Sequence, residues 1–259
     1  MKKIIPVLAL VFSLFGTQRA GAQNLSEIAD KTAFAGDRID AMYTAMNYSN
    51  SDFSATMTLV VEKPNETTRN LQYKYFLRPT KEQFTMVQIN PPAGKGTGYL
   101  VEDDHFWIYD PEGRKFTHSS IKKNIESSDR KASDMFNYND WRSDYKITSL
   151  TEGKLGAYPV WIIAVDAISS RPSYAKVTYH IRKDMPLLLK QEDFSAKGRL
   201  MRTTLTPKYS KVGEKYVPAQ IIIRDELNPG EQTQQVLSDV SFAKLPDLVF
   251  TKAYLENLN

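Results

Sequence analysis

Phe53-Ser54-Ala55-Thr56-Met57-Thr58-Leu59-Val60-Val61 is the stretch that decides the fold. Phe53, Ala55, Met57, Leu59 and Val61 alternate with Ser54, Thr56 and Thr58, the period of two expected of a half-buried strand. Downstream, Pro64-Asn65-Glu66 reads as a turn. Leu71, Tyr73, Tyr75 and Leu77 then alternate with Gln72 and Lys74, and Arg78-Pro79-Thr80 ends the run because proline cannot donate to a ladder. Phe84 and Met86 mark a third strand that stops at Pro91-Pro92. Lys95-Gly96-Thr97-Gly98 leads into a fourth, over residues 97–101. Asp103-Asp104 turns into Phe106-Trp107-Ile108-Tyr109-Asp110-Pro111, and Pro111-Glu112-Gly113 is the next turn signal. The pattern is an antiparallel meander with short connections.

Residues 118–142 break the period, which predicts short helices or an ordered loop inside the meander. Strands resume at 145–150, 160–165, 175–181, 187–191, 200–206, 216–224 and 232–242. Lys197-Gly198, Val212-Gly213-Glu214 and Asn228-Pro229-Gly230 carry hairpin-turn residues. About eleven antiparallel strands are expected, and a sheet of that size must curl, split or close. The predicted fold is mainly β (α+β): a half-open antiparallel barrel plugged by a few helices. Upstream, residues 24–48 read as helical from the stripe Ile28, Ala35, Ile39, Met42, Tyr43 and Met46, with Gly36 as an interruption and Asp37 as N-cap of a second piece. Residues 250–258 predict a short terminal helix capped by Thr251.

Lys2 and Lys3 precede an apolar run from Ile4 to Phe15 and an Ala20-Gly21-Ala22 cleavage site, the anatomy of a secretory signal peptide. Residues 1–22 are therefore set apart, and one domain is expected over 23–259. Without Lys2, Lys3 and Arg19 the chain holds 31 Lys+Arg against 30 Asp+Glu. That balance, with no dense basic run, argues against nucleic acid as partner. There is no cysteine, so disulfides, thiolate chemistry and a lipid-anchoring cysteine are excluded. A soluble periplasmic protein is expected.

Motifs for chemistry are missing. His105, His118 and His180 have no metal-ligand spacing, and no GxSxG elbow occurs. Gly94-Lys95-Gly96-Thr97-Gly98 lacks the spacing of a phosphate loop. Asp103-Asp104 sit in a turn, and Glu192-Asp193 on a strand face opposite sides, so neither pair suits shared acid–base work. No enzyme, cofactor or metal site is expected. What remains is apolar inventory: 11% aromatic residues and eight methionines, which suit an adaptable cavity. Cavity residues read from the strands are Phe53, Met57, Leu59, Tyr73, Tyr75, Phe84, Met86, Leu100, Trp107 and Tyr109, each set open to inversion by a one-residue register step.

The order and spacing of Ser51-Asp52-Phe53-Ser54-Ala55-Thr56-Met57, Arg78-Pro79 and Trp107-Ile108-Tyr109-Asp110-Pro111 resemble the LolA/LolB lipoprotein-carrier superfamily. Pro91-Pro92, Lys95-Gly96, Gly98-Tyr99-Leu100 and Leu245-Pro246-Asp247 with Phe250-Thr251 and Leu255 look like its outer membrane lipoprotein-sorting protein branch. The resemblance covers most of residues 37–257. It implies an eleven-stranded half-open barrel with a helical lid over a cavity for lipoprotein acyl chains or lipids, carried across the periplasm. It further implies an inner-membrane exporter of ABC or RND type, an outer-membrane acceptor and transient membrane contact as partners. Residues 119–140 correspond to the lid, with Met135 and Phe136 inward and Arg78 as the latch that hydrogen-bonds it shut. Ser133-Asp134-Met135-Phe136-Asn137-Tyr138 departs from the Phe-Met-Gly-Ser-Asp-like run of that branch. The expected function is a lipoprotein or lipid carrier; the alternative is a non-catalytic lipid-binding accessory module of an envelope exporter or assembly complex.

Overall fold

A computed structural model describes residues 25–46, 50–102, 105–126, 128–135 and 141–258. The proposed signal segment lies outside them, as do Asp103 and Asp104. Thirteen strands form one antiparallel sheet. They are β1 (Phe53–Glu62), β2 (Arg69–Arg78), β3 (Gln83–Asn90), β4 (Gly98–Glu102), β5 (His105–Asp110), β6 (Lys115–Ser119), β7 (Tyr145–Leu155), β8 (Tyr158–Ala167), β9 (Lys176–Arg182), β10 (Leu188–Phe194), β11 (Leu200–Val212), β12 (Lys215–Asp225) and β13 (Gln232–Ser241). Apart from β6 and β7, strands consecutive in sequence are neighbours in space, and the order runs β6-β5-β4-β3-β2-β1-β13-β12-β11-β10-β9-β8-β7. The pairing of β1 with β13 joins the two halves. Strands β6 and β7 are the free edges, so the barrel stays half open.

The count exceeds the expected eleven. β6, Lys-Phe-Thr-His-Ser, carries no apolar alternation and is mostly exposed, as an edge strand with one covered neighbour allows. Its place is set by the β5 ladder, from Phe106 opposite Ser119 to Asp110 opposite Lys115.

Three α-helices occur among the described residues: α1 (Lys31–Ala45), α2 (Trp141–Asp144) and α3 (Lys252–Glu256). α1 is continuous, which corrects the expected break at Gly36. Its cap is Asp30, whose carboxylate accepts from the amides of Thr32 and Ala33 at 3.0 and 2.9 Å. Gly36 is there for space: a Cβ would lie 2.7 Å from Nη2 of Arg142, which pairs with Asp40 at 2.6 Å. Ala35, Ile39 and Met42 are fully buried against Trp161, Ile163, Val165, Val177 and Tyr179 of β8 and β9.

The face of the sheet beneath α1 is the inner face. Residues 120–126 and 128–135, between β6 and α2 and hereafter termed the lid, lie over the other half of that face. The lid backbone folds back on itself through an antiparallel bridge of Asn124 with Lys131 and ends in a 3-10 turn, Ala132–Met135. Ile121, Ile125 and Ala132 of this lid pack on β1 to β5. On the outer face, α3 covers β3 to β5: Leu255 meets Val87, Leu100 and Tyr109. A Cβ on Gly98 would sit 2.7 Å from Leu255, so the glycine makes room for the helix.

Leu255 is fully buried, and truncating a core leucine costs about 2–5 kcal/mol. Leu255→Ala is expected to lower the melting temperature by roughly 2–4 °C for each kcal/mol lost, measured by differential scanning calorimetry.

Candidate functional site

The inner face is built by strand parity. Phe53, Ala55, Met57, Leu59 and Val61 stand opposite Leu77, Tyr75, Tyr73, Leu71 and Arg69 of β2. Tyr75 and Leu77 in turn oppose Met86 and Phe84, which oppose Tyr99 and Val101. Phe53, Met57, Leu59, Tyr73, Tyr75, Phe84 and Met86 are all at most 5% exposed and share one cluster with the lid residues Ile121, Ile125 and Ala132. Phe53, Met57 and Tyr75 also border an open cavity of about 80 Å³ whose wall continues through Leu77 and Leu237.

Leu100, Trp107 and Tyr109 are placed elsewhere. They lie on the outer face under α3, and Lys252 Nζ sits 3.5 Å from the Trp107 ring centre. Tyr99, Val101, Phe106 and Ile108 take the inner positions instead. Both faces of β4 and β5 are covered, so both are apolar, and parity was not readable from hydrophobicity. Phe136 lies outside the described residues, and Met135 is described only as backbone.

Arg78 has a different partner set from the one expected. Its Nε and Nη2 donate to the two carboxylate oxygens of Asp52 at 3.0 and 2.9 Å. Nη1 donates to Asp247, and Nη2 reaches the Leu245 carbonyl at 2.6 Å. The Leu245 amide closes the loop by donating to Asp52 at 2.7 Å, and the guanidinium lies over Phe250. These groups belong to the entry of β1 and to the C-terminal segment; among the described residues of 119–140 none bonds to Arg78. At the end of β2, Arg78 holds the tail that leads into α3.

The lid is held by Arg202. The hairpin at Lys197-Gly198 sets Asp193 of β10 opposite Arg202 of β11. Arg202 Nε donates to Asp193 at 2.7 Å, and its two Nη atoms grip Asp134 of the lid at 2.7 and 3.1 Å. Asp193 is 0% exposed and Arg202 7%. Burial raises the Asp193 carboxyl above its usual range despite Arg202 beside it. Burial pushes Asp134 the same way, but Arg202 and Arg130 overcome it and hold that carboxyl low. Burial opposes the charge on Arg202, and its two carboxylate neighbours reverse that and raise it. Further ties are Ser133 to Ser173 at 3.2 Å, Lys122 to the Ser170 and Pro172 carbonyls, Asp129 to Thr233, and Arg69 to Glu126 at 2.9 Å. Sequence reading passed over Arg202. The signal for it was an Asp and an Arg placed across one hairpin turn, both directed away from Glu192, which instead meets His180 at 2.9 Å and Lys190 at 2.7 Å.

Beside this ion group a second cavity of about 230 Å³ opens between α1, the lid and β9 to β12. Met46, Arg130, Asp134, Pro218 and Ile221 border both cavities. Of the histidines, His105 and His118 face each other across β5 and β6 at 3.3 Å. One carboxylate group, Asp129, Asp225 and Glu231, is close enough to hold a cation. Its members are already engaged by Thr233, by the amides of Leu227 and Asn228, and by Lys63.

The model of a protein family described as "Uncharacterized protein" matches residues 80–257. No curated protein matches the sequence. Among solved structures, a DUF1329 family protein from Desulfovibrio piger is similar at a TM-score of 0.78 and 19% identity, covering 87% of this chain and 99% of its own. A LolA superfamily protein from Nitrosomonas europaea gives 0.72 and 19%, covering 85% and 98%. A domain described as an outer membrane lipoprotein-sorting protein, from Vibrio parahaemolyticus, gives 0.71 and 20%, covering 87% and 98%. The fold is therefore the half-open barrel of the LolA superfamily, as the resemblance implied.

Two outcomes follow from the ion groups. Arg202→Leu strands Asp193 and Asp134 without their cation, a loss of about 3–5 kcal/mol for a buried pair, to be read by chemical denaturation. The second concerns Asp52, whose carboxyl is held low by hydrogen bonds from Arg78, against burial. A depressed carboxyl stabilises the fold above its unfolded pKa of about 3.9 and loses that contribution as pH falls through the folded value. Below about pH 4 the tail should loosen, seen as faster hydrogen exchange at residues 245–255 than in the β1 to β3 ladder.

Proposed function

We infer that this chain, which belongs to the family matched over residues 80–257 and has the LolA-superfamily fold, is a periplasmic carrier for acyl-chain cargo, either lipid or lipoprotein. The observation that carries the reading is the lid. It covers an apolar sheet face with Ile121, Ile125 and Ala132, and side-chain bonds centred on Arg202 and Asp134 tie it to the sheet.

Energetics explain why a carrier would be built so. Burying an acyl chain gains about 0.8 kcal/mol per CH₂, so a bound chain escapes into water very slowly unless something competes with it. The closed lid competes: its apolar side chains occupy the face that cargo would use, and its ion pair supports that state. Neither cavity alone, at about 230 and 80 Å³, reaches the roughly 300–1,000 Å³ that enclose a drug-sized ligand. Cargo entry therefore requires the lid to move. The signal-like N-terminus and the lack of cysteine support a soluble exported form. The sequence has no nucleotide motif, so the driving force for loading would come from an exporter in the inner membrane, and for unloading from an acceptor in the outer membrane. No catalytic step is assigned.

The lid can be locked chemically. Ser133 and Ser173 oxygens lie 3.2 Å apart, and the chain has no native cysteine to interfere. The double variant Ser133→Cys, Ser173→Cys should form a disulfide on oxidation. The expected result is that the oxidised form takes up fluorescent phosphatidylethanolamine from vesicles at least about tenfold more slowly than the reduced form, a difference of about 1.4 kcal/mol. Equal uptake by both forms, with the disulfide verified by mass spectrometry, would remove the lid from the mechanism.

A further inference from the structure

The wall shared by the two cavities is not uniformly apolar. Arg130 borders both. One Nη donates to the Asp134 carbonyl at 2.8 Å, but its Nε is buried with no hydrogen-bond partner. Gln235, 3% exposed, borders the smaller cavity and leaves its side-chain oxygen equally unpartnered. An unpaired buried donor or acceptor costs about 1–3 kcal/mol, and more where the group is charged. Such atoms on a cavity wall are completed by water or by a ligand.

Charge points the same way. Arg130, Lys131 and Arg202 are three cations around two carboxylates, Asp134 and Asp193. Arg202 engages both acids. Arg130 and Lys131 form no ion pair among the described residues, and Lys131 rests on the Tyr174 ring at 4.3 Å. One positive charge is thus in excess in a desolvated place. Burial pushes both Arg130 and Lys131 down from their usual range, the direction of groups short of counter-charge. On the other side of Arg130 the smaller cavity is lined by Phe53, Met57, Tyr75, Leu77 and Leu237.

We propose that the site selects an anionic amphiphile, its acyl chain laid along Phe53, Met57 and Tyr75 and its phosphate or carboxylate head received by Arg130. The inference rests on the carrier reading and adds the headgroup to it. Arg130 stands on the lid itself, so an anionic head would give the lid a bond to the cargo as well as to the sheet. Gln235 would accept from a hydroxyl or amide next to the head.

The test uses the mature full-length chain with two probes of equal chain length, palmitoyl lysophosphatidate and monopalmitoylglycerol, by titration calorimetry below their micelle-forming concentrations. The phosphate-bearing probe should bind at least about tenfold more tightly, a difference of about 1.4 kcal/mol. Arg130→Gln should collapse the ratio of the two affinities towards one, and Arg130→Lys should restore part of it. Equal wild-type affinity for both probes overturns the headgroup assignment and leaves the carrier reading standing. Binding of neither overturns both. Displacement of the lipid by excess inorganic phosphate would assign the site to the free anion and also overturn the proposal. If Arg130→Gln fails to fold, the wild-type ratio and its weakening with added salt decide alone.

Discussion

An apolar face on an open sheet has to be covered, and most of this molecule follows from that requirement. Thirteen strands curl in sequence order, but β6 and β7 do not meet. The inner face that a closed barrel would hide is left accessible from one side. Helix α1 covers the half made by β7 to β10, and the segment leading from β6 towards α2 covers the half made by β1 to β5. Among the described residues the second cover rests on three small or medium apolar side chains and a set of polar ties.

Those ties are arranged around Arg202. A buried ion pair rarely stabilises more than apolar residues of the same volume, because desolvation offsets most of the Coulomb gain. Three apolar side chains in place of Asp193, Arg202 and Asp134 would hold the lid at least as firmly. They would hold it without direction, and they would extend the apolar surface of the cavity. The charged arrangement gives one geometry, with Arg202 bonded to Asp193 on the sheet and to Asp134 at once. It also places polar atoms on the cavity wall.

The outer face shows the complementary solution. There Leu255 fits the space over Gly98, and Arg78 holds the preceding segment through Asp52, Asp247 and the Leu245 carbonyl. Arg78, the residue the resemblance offers as a latch, bonds among the described residues to the C-terminal segment and the entry of β1. Lid and tail each have one buried arginine bridging two acids, one on each face of the same sheet.

The period-two runs of β1 and β2, the proline and glycine punctuation and the break after β6 determined the meander, its curling and the existence of an inserted cover. These are local properties, written in side-chain alternation and backbone restriction. Strand β6 was not legible, because an exposed edge strand needs no apolar face. The faces of β4 and β5 were not legible either. Leu100 and Trp107 alternate with residues as apolar as themselves, and only α3, packed from the far end of the chain, decides which set points outward. The lid's anchor was least legible of all. Asp134, Asp193 and Arg202 are ordinary surface-type residues in sequence; burial and a shared charge balance exist only once β10, β11 and the lid are folded together. The sequence by itself determined the sheet and its greasy character, since both are short-range. The tertiary structure decided which arginine holds the lid, because that depends on which charges lose their water together.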